Sequence, residues 1–383
     1  MLKRFEVTNY RNFKENIIID FGEVGGYQFS QNCIRQGLIS KMLIYGRNAT
    51  GKTNLGRAIM NISTTLLGRP ALERDNFQNA DSKEELVRFK YEFAFGEKKI
   101  EYNYSKKTVY KLEKEQLRVD GISIFECDYE NKTYSFSGLD KIGAETVNVE
   151  RYTEYLYESD EHSDEEEAKI PFLRWLINNA ALNSDSVILE LFDYVKRMSM
   201  MVNNNFYNSP FRRMNDIFFK ALEEGDNLEK FERFLNLMGI ECELVLEILP
   251  DDQRELYFRH DKKVRFFDNA SSGTLMLVNL YRRMILPLQK PSFIFMDEFD
   301  AYYHYEMAEM VVRFLQEEYP NTQVVLTSHN TNLMTNQLMR PDCLLILSGE
   351  GKLTPLAKAT KRELREGHNL EKLYISGEFK EYE

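Results

Sequence analysis

The feature that most constrains this chain is a glycine-rich stretch, residues 46–53, which reads Gly-Arg-Asn-Ala-Thr-Gly-Lys-Thr. It fits the pattern G-x-x-x-x-G-K-[ST] and directly follows the short apolar run 41–45, so strand, loop and helix come in the order that phosphate loops show. Backbone N–H groups of such a loop surround a phosphate at a helix N-terminus, whose dipole also favours negative charge. We therefore predict an ATP site formed by Gly46, Arg47, Asn48, Ala49, Thr50, Gly51, Lys52, Thr53 and the adjacent Asn54.

Within this loop two side chains have the chemistry that a nucleotide requires. The Lys52 ammonium is expected to reach the β- and γ-phosphates, and the Thr53 hydroxyl is expected to bind Mg²⁺. ATP and Mg²⁺ are thus the predicted cofactors.

A second apolar run, Phe293-Ile294-Phe295-Met296, ends on the acid pair Asp297 and Glu298. Phosphoryl transfer to water needs one carboxylate to position the metal and another to orient the attacking water. We predict that Asp297 lies beside Mg²⁺ and that Glu298 is the general base. A buried strand followed by a charged turn would give the same pattern without any catalytic role.

Two further segments come in an order that fits the same site. The run Val324-Val325-Leu326-Thr327-Ser328 ends on His329. We expect His329 at the tip of a strand, facing the same crevice. The turn Ser271-Ser272-Gly273 precedes a helical pattern about 25 residues before Asp297. Alone it would be an ordinary helix N-cap, but its position between the phosphate loop and the acid pair suggests a part in the site.

The remaining pattern predicts an α/β chain with a mixed sheet, an antiparallel β meander and a helical insertion. Alternating apolar residues from Val87 towards Phe125, with a turn at Gly96-Glu97, indicate the meander. Helical spacing then predicts an insertion over 165–240, preceded by an acidic loop at 158–167. The ATPase head is expected to be discontinuous, over 1–150 and 241–383.

Charge and cysteine content limit the function classes. The chain has 61 acidic and 50 basic residues and a formal charge of −11, which disfavours an extended nucleic-acid footprint. The acidic run is either a solvated loop or a docking surface for a basic partner. Cys33, Cys127, Cys242 and Cys343 show no CxxC or Cys/His spacing, so neither zinc nor disulfides are predicted. With no apolar run of membrane-spanning length and no leader pattern, we expect a cytoplasmic protein without a membrane partner.

These motifs together resemble the RecF/SMC/OLD-like branch of ABC ATPases, and within it the AAA-15/AAA-21 group. The opening segment Asn9-Tyr10-Arg11-Asn12-Phe13 looks like that group's "NFRSF", and residues 297–304 look like its "DEIDAHLH". The C-terminal segments 340–342, 361–365 and 369–379 are similar to its conserved endings. The resemblance therefore extends over both ends of the chain.

The resemblance implies a composite site in which two heads sandwich ATP. Ser271, Ser272 and Gly273 would then act on the phosphate loop of a second copy, in a head-to-head homodimer or larger oligomer. His329 would sense the γ-phosphate, and Asp300 would belong to the loop that contacts the dimer partner. The turn departs from the transporter form Ser-Gly-Gly-Gln, and Gln78 is the candidate for the glutamine that such ATPases place on the metal.

Several ABC subclasses remain open at this level. An insertion of this length reaches at most about 55 Å as a hairpin, which excludes the long arms of SMC proteins. Transporter motors normally lack the helical insertion, and 54 residues after His329 are too few for an appended nuclease domain. The favoured reading resembles the ATPase component of anti-phage or abortive-infection systems of the AriA and AbiL kinds, with a separately encoded effector and a phage-derived trigger. The alternative is a RecF-like repair ATPase that binds DNA.

Overall fold

The computed structural model describes residues 1–71, 76–162, 169–202, 211–250, 252–284 and 289–383. Its strands are β1 (Leu2–Thr8), β2 (Ile17–Asp20), β3 (Ile34–Arg35), β4 (Leu38–Ile39), β5 (Lys41–Tyr45), β6 (Val87–Phe95), β7 (Lys98–Lys106), β8 (Leu112–Val119), β9 (Ile122–Asp128), β10 (Thr133–Ser135), β11 (Met198–Met201), β12 (Leu244–Ile248), β13 (Arg254–Phe258), β14 (Val264–Arg265), β15 (Phe293–Met296), β16 (Gln323–Ser328), β17 (Leu344–Leu347) and β18 (Leu353–Pro355). Its α-helices are α1 (Lys52–Leu67), α2 (Val149–His162), α3 (Phe172–Asn179), α4 (Val187–Lys196), α5 (Phe211–Glu223), α6 (Asn227–Leu237), α7 (Phe266–Asn269), α8 (Ser272–Met284), α9 (Tyr305–Glu318) and α10 (Leu370–Ile375).

The central sheet has the strand order β11-β15-β16-β5-β17-β18 and is parallel except for β18. Every residue of β5, β15, β16 and β17 is buried, as expected for strands covered on both faces. Because β15, β16 and β5 are neighbours in parallel register, their carboxyl ends meet at one edge of the sheet. That edge carries the phosphate loop, the acid pair and His329, as the sequence predicts.

The second sheet is antiparallel, with the order β10-β9-β8-β7-β6-β1-β2. In β6 buried and more exposed residues alternate, and the buried set includes Phe89, Tyr91 and Phe93. The Tyr91 hydroxyl donates to the Ala58 carbonyl oxygen at 3.0 Å, so this sheet is tied directly to α1. The predicted meander is therefore confirmed, and the chain has the predicted α/β class, with one mixed and one antiparallel sheet.

The predicted helical insertion needs a correction. Helices α3 and α4 lie where the helical spacing predicts them, but Met198–Met201 forms β11, which pairs in parallel with β15 at the edge of the central sheet. This short apolar stretch is mostly buried there, and the hydrogen bonds of the sheet edge favour an extended backbone. The insertion is thus not helical throughout, and its boundaries at 165–240 stay a prediction.

The acidic run also differs from its predicted form. Helix α2 continues through His162, so the first part of the run is helical and not a loop. Residues 163–167 lie outside the described residues. The role of this run as a linker or docking surface stays a prediction.

Helix α6 packs against α5, α7 and α8 through aromatic side chains. The ring of Phe231 on α6 contacts Phe218, Phe266 and Tyr281, at centroid distances of 5.3, 6.0 and 4.8 Å. Since Tyr281 belongs to α8, this cluster holds the helix that begins at the Ser-Ser-Gly turn. None of the helices in the described part of the chain has the length and hydrophobicity needed to cross a membrane.

A buried carboxylate joins the meander to the helices that follow it. Glu115 of β8 accepts hydrogen bonds from the Tyr129 hydroxyl at 2.6 Å and from the backbone N–H groups of Phe172 and Leu173 at 2.7 and 3.1 Å. Burial raises the pKa of Glu115, although these donors act in the opposite direction. The carboxylate thus supplies acceptors to the first N–H groups of α3, which has no side-chain cap of its own.

Candidate nucleotide-binding site

The phosphate loop connects β5 to α1 and has a backbone that excludes ordinary side chains at one position. Gly51, at the N-terminus of α1, has φ 102°. A Cβ atom there would lie 2.1 Å from the Asn12 side-chain nitrogen, so only glycine fits. The Asn12 amide donates to the Thr50 carbonyl oxygen at 3.0 Å and accepts from the Asn54 amide at 2.7 Å. The N-terminal segment thereby braces the loop.

Lys52 lies inside this loop and is 5% exposed. Its Nζ donates to the carbonyl oxygens of Gly46 at 2.8 Å and of Arg47 at 3.1 Å. Burial lowers the pKa of Lys52, while the nearby carboxylates of Glu298 and Asp297 act to raise it. An anionic phosphate would replace neutral carbonyl partners of this buried cation with a charged one.

Thr53 and Asp297 are in direct contact. The Thr53 hydroxyl donates to Asp297 Oδ2 at 2.6 Å, and the Thr327 hydroxyl donates to Asp297 Oδ1 at 2.9 Å. Asp297 is 6% exposed, so its carboxylate is fixed by two hydroxyl groups from α1 and β16. Hydroxyl and carboxylate oxygens are ligands that Mg²⁺ prefers, and these residues fit a metal held with a nucleotide.

Glu298 has an unusual backbone conformation. Its φ is 46°, in the left-handed region that residues other than glycine seldom adopt. The Glu298 N–H donates to Thr327 Oγ1 at 2.8 Å, which holds the backbone in place. This turn directs the Glu298 carboxylate away from the buried strand, and its side chain is 44% exposed. An observed strain of this kind at the end of a strand is common at functional sites.

His329 connects the phosphate loop to Glu298. Its Nε2 lies 3.0 Å from Glu298 Oε1, and its Nδ1 lies 3.4 Å from Lys52 Nζ. The preceding Ser328 donates to Asp300 Oδ2 at 2.8 Å, which links the end of β16 to the segment after the acid pair. Burial raises the pKa of Asp300. The predicted residues Lys52, Glu298 and His329 are therefore brought together in one chain.

The Ser-Ser-Gly turn lies at the start of α8. Ser271 Oγ accepts from the Thr274 N–H at 3.1 Å, which is the hydrogen bond of a helix N-cap. A Cβ atom on Gly273 would lie 2.8 Å from the Tyr302 carbonyl oxygen, so the turn packs closely on the segment that follows Glu298. Ser271 and Ser272 are exposed. The hydrogen bonds described for these two serines include none to the phosphate loop of the same chain.

The described hydrogen bonds of Gln78 lie outside the predicted metal site. Its amide nitrogen donates to the carbonyl oxygens of Glu85 and Lys107, at 2.5 and 2.7 Å, beside the meander. Its backbone pairs with Tyr10 in the opening segment. The hydrogen bonds described for Gln78 include none to Thr53 or Asp297, and a metal role for Gln78 stays a prediction.

Two contacts at the loop were not predicted from the sequence. One is the Asn12 contact with Thr50 and Asn54, whose only sequence signal is the position of Asn12 in the "NFRSF"-like segment. The other joins Arg47 Nη2 to Glu383 Oε2 at 2.6 Å. No local pattern predicts this ion pair, because its two residues are 336 positions apart in the chain.

Comparison with known protein families gives one match. A family model described as "AAA_21: AAA domain, putative AbiEii toxin, Type IV TA system" matches residues 41–335, a range that includes the phosphate loop, the Ser-Ser-Gly turn, the acid pair and His329. Among the curated proteins no significant match was found.

Solved structures of SMC heads were also compared with this chain. The SMC head bound to the C-winged helix domain of ScpA is 14% identical, with 92% of this chain and 96% of that chain covered and a TM-score of 0.49. The SMC head domain from Thermotoga maritima is 16% identical, with 92% and 98% covered and a TM-score of 0.46. The SMC head with an extended coiled coil, bound to the C-terminal domain of ScpA from Pyrococcus furiosus, is 13% identical, with 92% and 95% covered and a TM-score of 0.46.

Proposed function

This chain belongs to the AAA_21 family, and we propose that it binds ATP and hydrolyses it to ADP and phosphate. The proposal rests on the contacts between the phosphate loop and the residues at the ends of β15 and β16. Thr53 of the phosphate loop contacts Asp297, and His329 bridges Lys52 to Glu298. Phosphate binding, metal binding and water activation thus have neighbouring groups at one edge of the sheet.

In the proposed reaction a water oxygen attacks the γ-phosphorus, and the bond from that phosphorus to the β–γ bridging oxygen breaks. Glu298 accepts the proton from the water, and ADP leaves with the bridging oxygen. Lys52 binds the β- and γ-phosphates, while His329 holds the Glu298 carboxylate and faces the γ-phosphate. When bound, Mg²⁺ would be held by Thr53 and Asp297 and would supply positive charge to the phosphates.

The site is proposed to be completed by a second copy of the chain. Ser271 and Ser272 are exposed at the start of α8 and can meet the phosphate loop of a partner. Because Gly273 packs closely on the Tyr302 backbone, a partner that contacts the turn would also affect the position of the segment after Glu298. In a head-to-head homodimer or larger oligomer, ATP would therefore lie between the loop of one protomer and the turn of the other.

Mixing two inactive variants tests the shared site. Lys52→Ala disables a protomer's own loop and keeps its turn, whereas Ser272→Arg blocks the turn and keeps the loop. A mixed dimer then contains one intact site, and random pairing of equal amounts should restore about a quarter of the wild-type ATPase rate. Phosphate release by each variant alone and by the mixture measures this.

The control is a mixture of the double variant Lys52→Ala/Ser272→Arg with the Lys52→Ala protein. No pairing of these two chains contains an intact phosphate loop. Activity in the first mixture and none in the control would support a shared site. If the Ser272→Arg protein alone hydrolysed ATP normally, the turn would have no part in the site.

For the biological role, we propose that the chain is the sensor or regulatory subunit of an anti-phage, abortive-infection system in the cytoplasm. It would control a separately encoded effector, and a phage-derived trigger would change that contact when ATP is bound or hydrolysed. Support comes from the description of the family, which names a toxin and a toxin–antitoxin system. The alternative is the RecF-like repair ATPase that binds DNA.

Co-expression with the product of the adjacent gene separates these roles. We expect the Glu298→Gln protein, held with ATP, to co-purify with that product in a fixed ratio, and the Lys52→Ala protein to lose it. Both proteins are also tested for binding to gapped and duplex DNA. ATP-dependent DNA binding without co-purification would replace the regulatory role with the repair role.

A further inference from the structure

A groove of about 680 Å³ lies at the opposite edge of the central sheet from the phosphate loop. Five cationic side chains contribute to its wall, namely Arg69, Lys196, Arg197, Arg282 and Arg283, and no aspartate or glutamate is among the described residues that line it. We call this feature the basic groove. Since the chain as a whole carries a formal charge of −11, such a local excess of positive charge needs a cause.

The position of the basic groove follows from the chain direction. Strands β11 and β15 begin there, while helices α1, α4 and α8 end there, at Leu67, Lys196 and Met284. Helices α1 and α8 begin at the phosphate loop and at the Ser-Ser-Gly turn, respectively. The basic groove is therefore at the far end of both helices that the nucleotide site uses.

Helix termini explain part of the charge. Each of the three helix C-termini is equivalent to about half a negative charge, which basic residues neutralise. Arg69 donates to the carbonyl oxygens of Lys196 at 2.7 Å and Met198 at 3.3 Å. Arg197 donates twice to Asp193, at 2.9 and 2.6 Å. These two arginines therefore have structural roles.

Lys196 and Arg283 lie in the last turns of α4 and α8, where the helix C-termini favour a positive charge. The half-charges of three helix C-termini are nevertheless too few to balance the five cations of the groove. The Arg283 guanidinium donates to Ser199 Oγ at 2.9 Å and to Asn279 Oδ1 at 3.4 Å, which are neutral acceptors. Crowding by the surrounding protein lowers the pKa of Arg283, and no carboxylate of the described residues offsets this. The side chain still faces solvent within the groove. The positive charge of Arg283 also acts to lower the pKa of Arg282, after the larger effect of burial.

We propose that the basic groove binds a small ligand that carries two or more phosphate groups, at a site separate from the ATP site. Arginine guanidinium groups match phosphate oxygens with paired hydrogen bonds, and three or more cations around one concave surface favour adjacent phosphates. The limited volume of the groove and the negative charge of the rest of the chain favour a small ligand over an extended polyanion.

Calorimetric titration of pyrophosphate and of tripolyphosphate into the full-length Lys52→Ala protein tests this site without the phosphate loop. Arg283→Ala and Lys196→Glu, each added to Lys52→Ala, should weaken binding about tenfold or more, because each removes a charged contact. Lys196 is exposed, so its substitution leaves the core intact. Arg118→Ala, at an exposed arginine on β8, is the matched control and should leave binding unchanged.

A single-stranded oligonucleotide is titrated in parallel as the second source of phosphate groups. Binding of pyrophosphate or tripolyphosphate that depends on Arg283 and Lys196 supports the proposal. It is overturned by the absence of binding, by equal binding to all variants, or by binding of the oligonucleotide alone. Since the phosphate loop is already disabled, none of these results depends on ATP hydrolysis.

Discussion

Replacing Glu298 by glutamine should lower ATP turnover about 100-fold or more, because a positioned general base contributes roughly this factor or more. Glutamine keeps the shape of the side chain and an oxygen that His329 Nε2 can contact at the observed 3.0 Å. It cannot accept the proton from the attacking water. ATP affinity should change little, since Lys52, Thr53 and Asp297 are untouched. Phosphate release gives the turnover, and calorimetry gives the affinity.

Glu306→Gln is the matched control for this prediction. Glu306 is exposed in the first turn of α9, close in sequence to Glu298, and has no described contact with the nucleotide site. The Glu306→Gln protein should turn over ATP at the normal rate. Wild-type turnover by the Glu298→Gln protein would show that the general base is another group.

Replacing Lys52 by alanine should weaken ATP binding about 100-fold or more. Lys52 is a buried cation that has only carbonyl oxygens and the His329 ring as described hydrogen-bond partners, so the phosphates are its natural counter-charge. Charged hydrogen bonds contribute about 1.5–3 kcal/mol each, and losing two of them lowers affinity by about 100-fold or more. Alanine also removes the bonds that hold the loop around Gly46 and Arg47. Calorimetric titration with ATP measures the loss.

Lys98→Ala controls for the loss of a lysine elsewhere. Lys98 is an exposed residue of β7 that pairs with Asp120 at 3.1 Å, far from the phosphate loop in the fold. Its replacement should leave ATP affinity unchanged. Wild-type affinity in the Lys52→Ala protein, with the same melting temperature as the parent, would contradict the phosphate-binding role of Lys52.

The centre of the site was predictable because each part has a local signature. The phosphate loop, the Asp297-Glu298 pair and His329 each follow an apolar strand, and parallel neighbours place the ends of their strands together. Motifs that are distant in sequence therefore lie together in one crevice. Because each motif follows its strand, the sequence also predicts that they share the edge formed by the carboxyl ends of the strands.

Other features depend on tertiary contacts that have no local signature. Asn12, in the turn after β1, contacts Thr50 and Asn54 at the start of α1, and Glu298 adopts a positive φ although its residue type gives no sign of it. Strand β11 follows directly on α4 and is too short to show alternation, so the sheet edge decides its conformation. The amide nitrogen of Gln78 donates to the carbonyl oxygens of Glu85 and Lys107, contacts that the sequence does not predict, and its metal role stays a prediction.

The place of β5 in the central sheet has a consequence for how the molecule assembles. On one side β5 pairs with β16, where Lys41 faces Val324, and on the other with β17, where Leu43 faces Leu344. The antiparallel meander β6 to β9, by contrast, forms between consecutive strands. Contacts between residues so far apart in sequence form slowly. During synthesis the phosphate loop should therefore emerge from the ribosome early and remain without the strands that flank β5 until β16 and β17 have followed it.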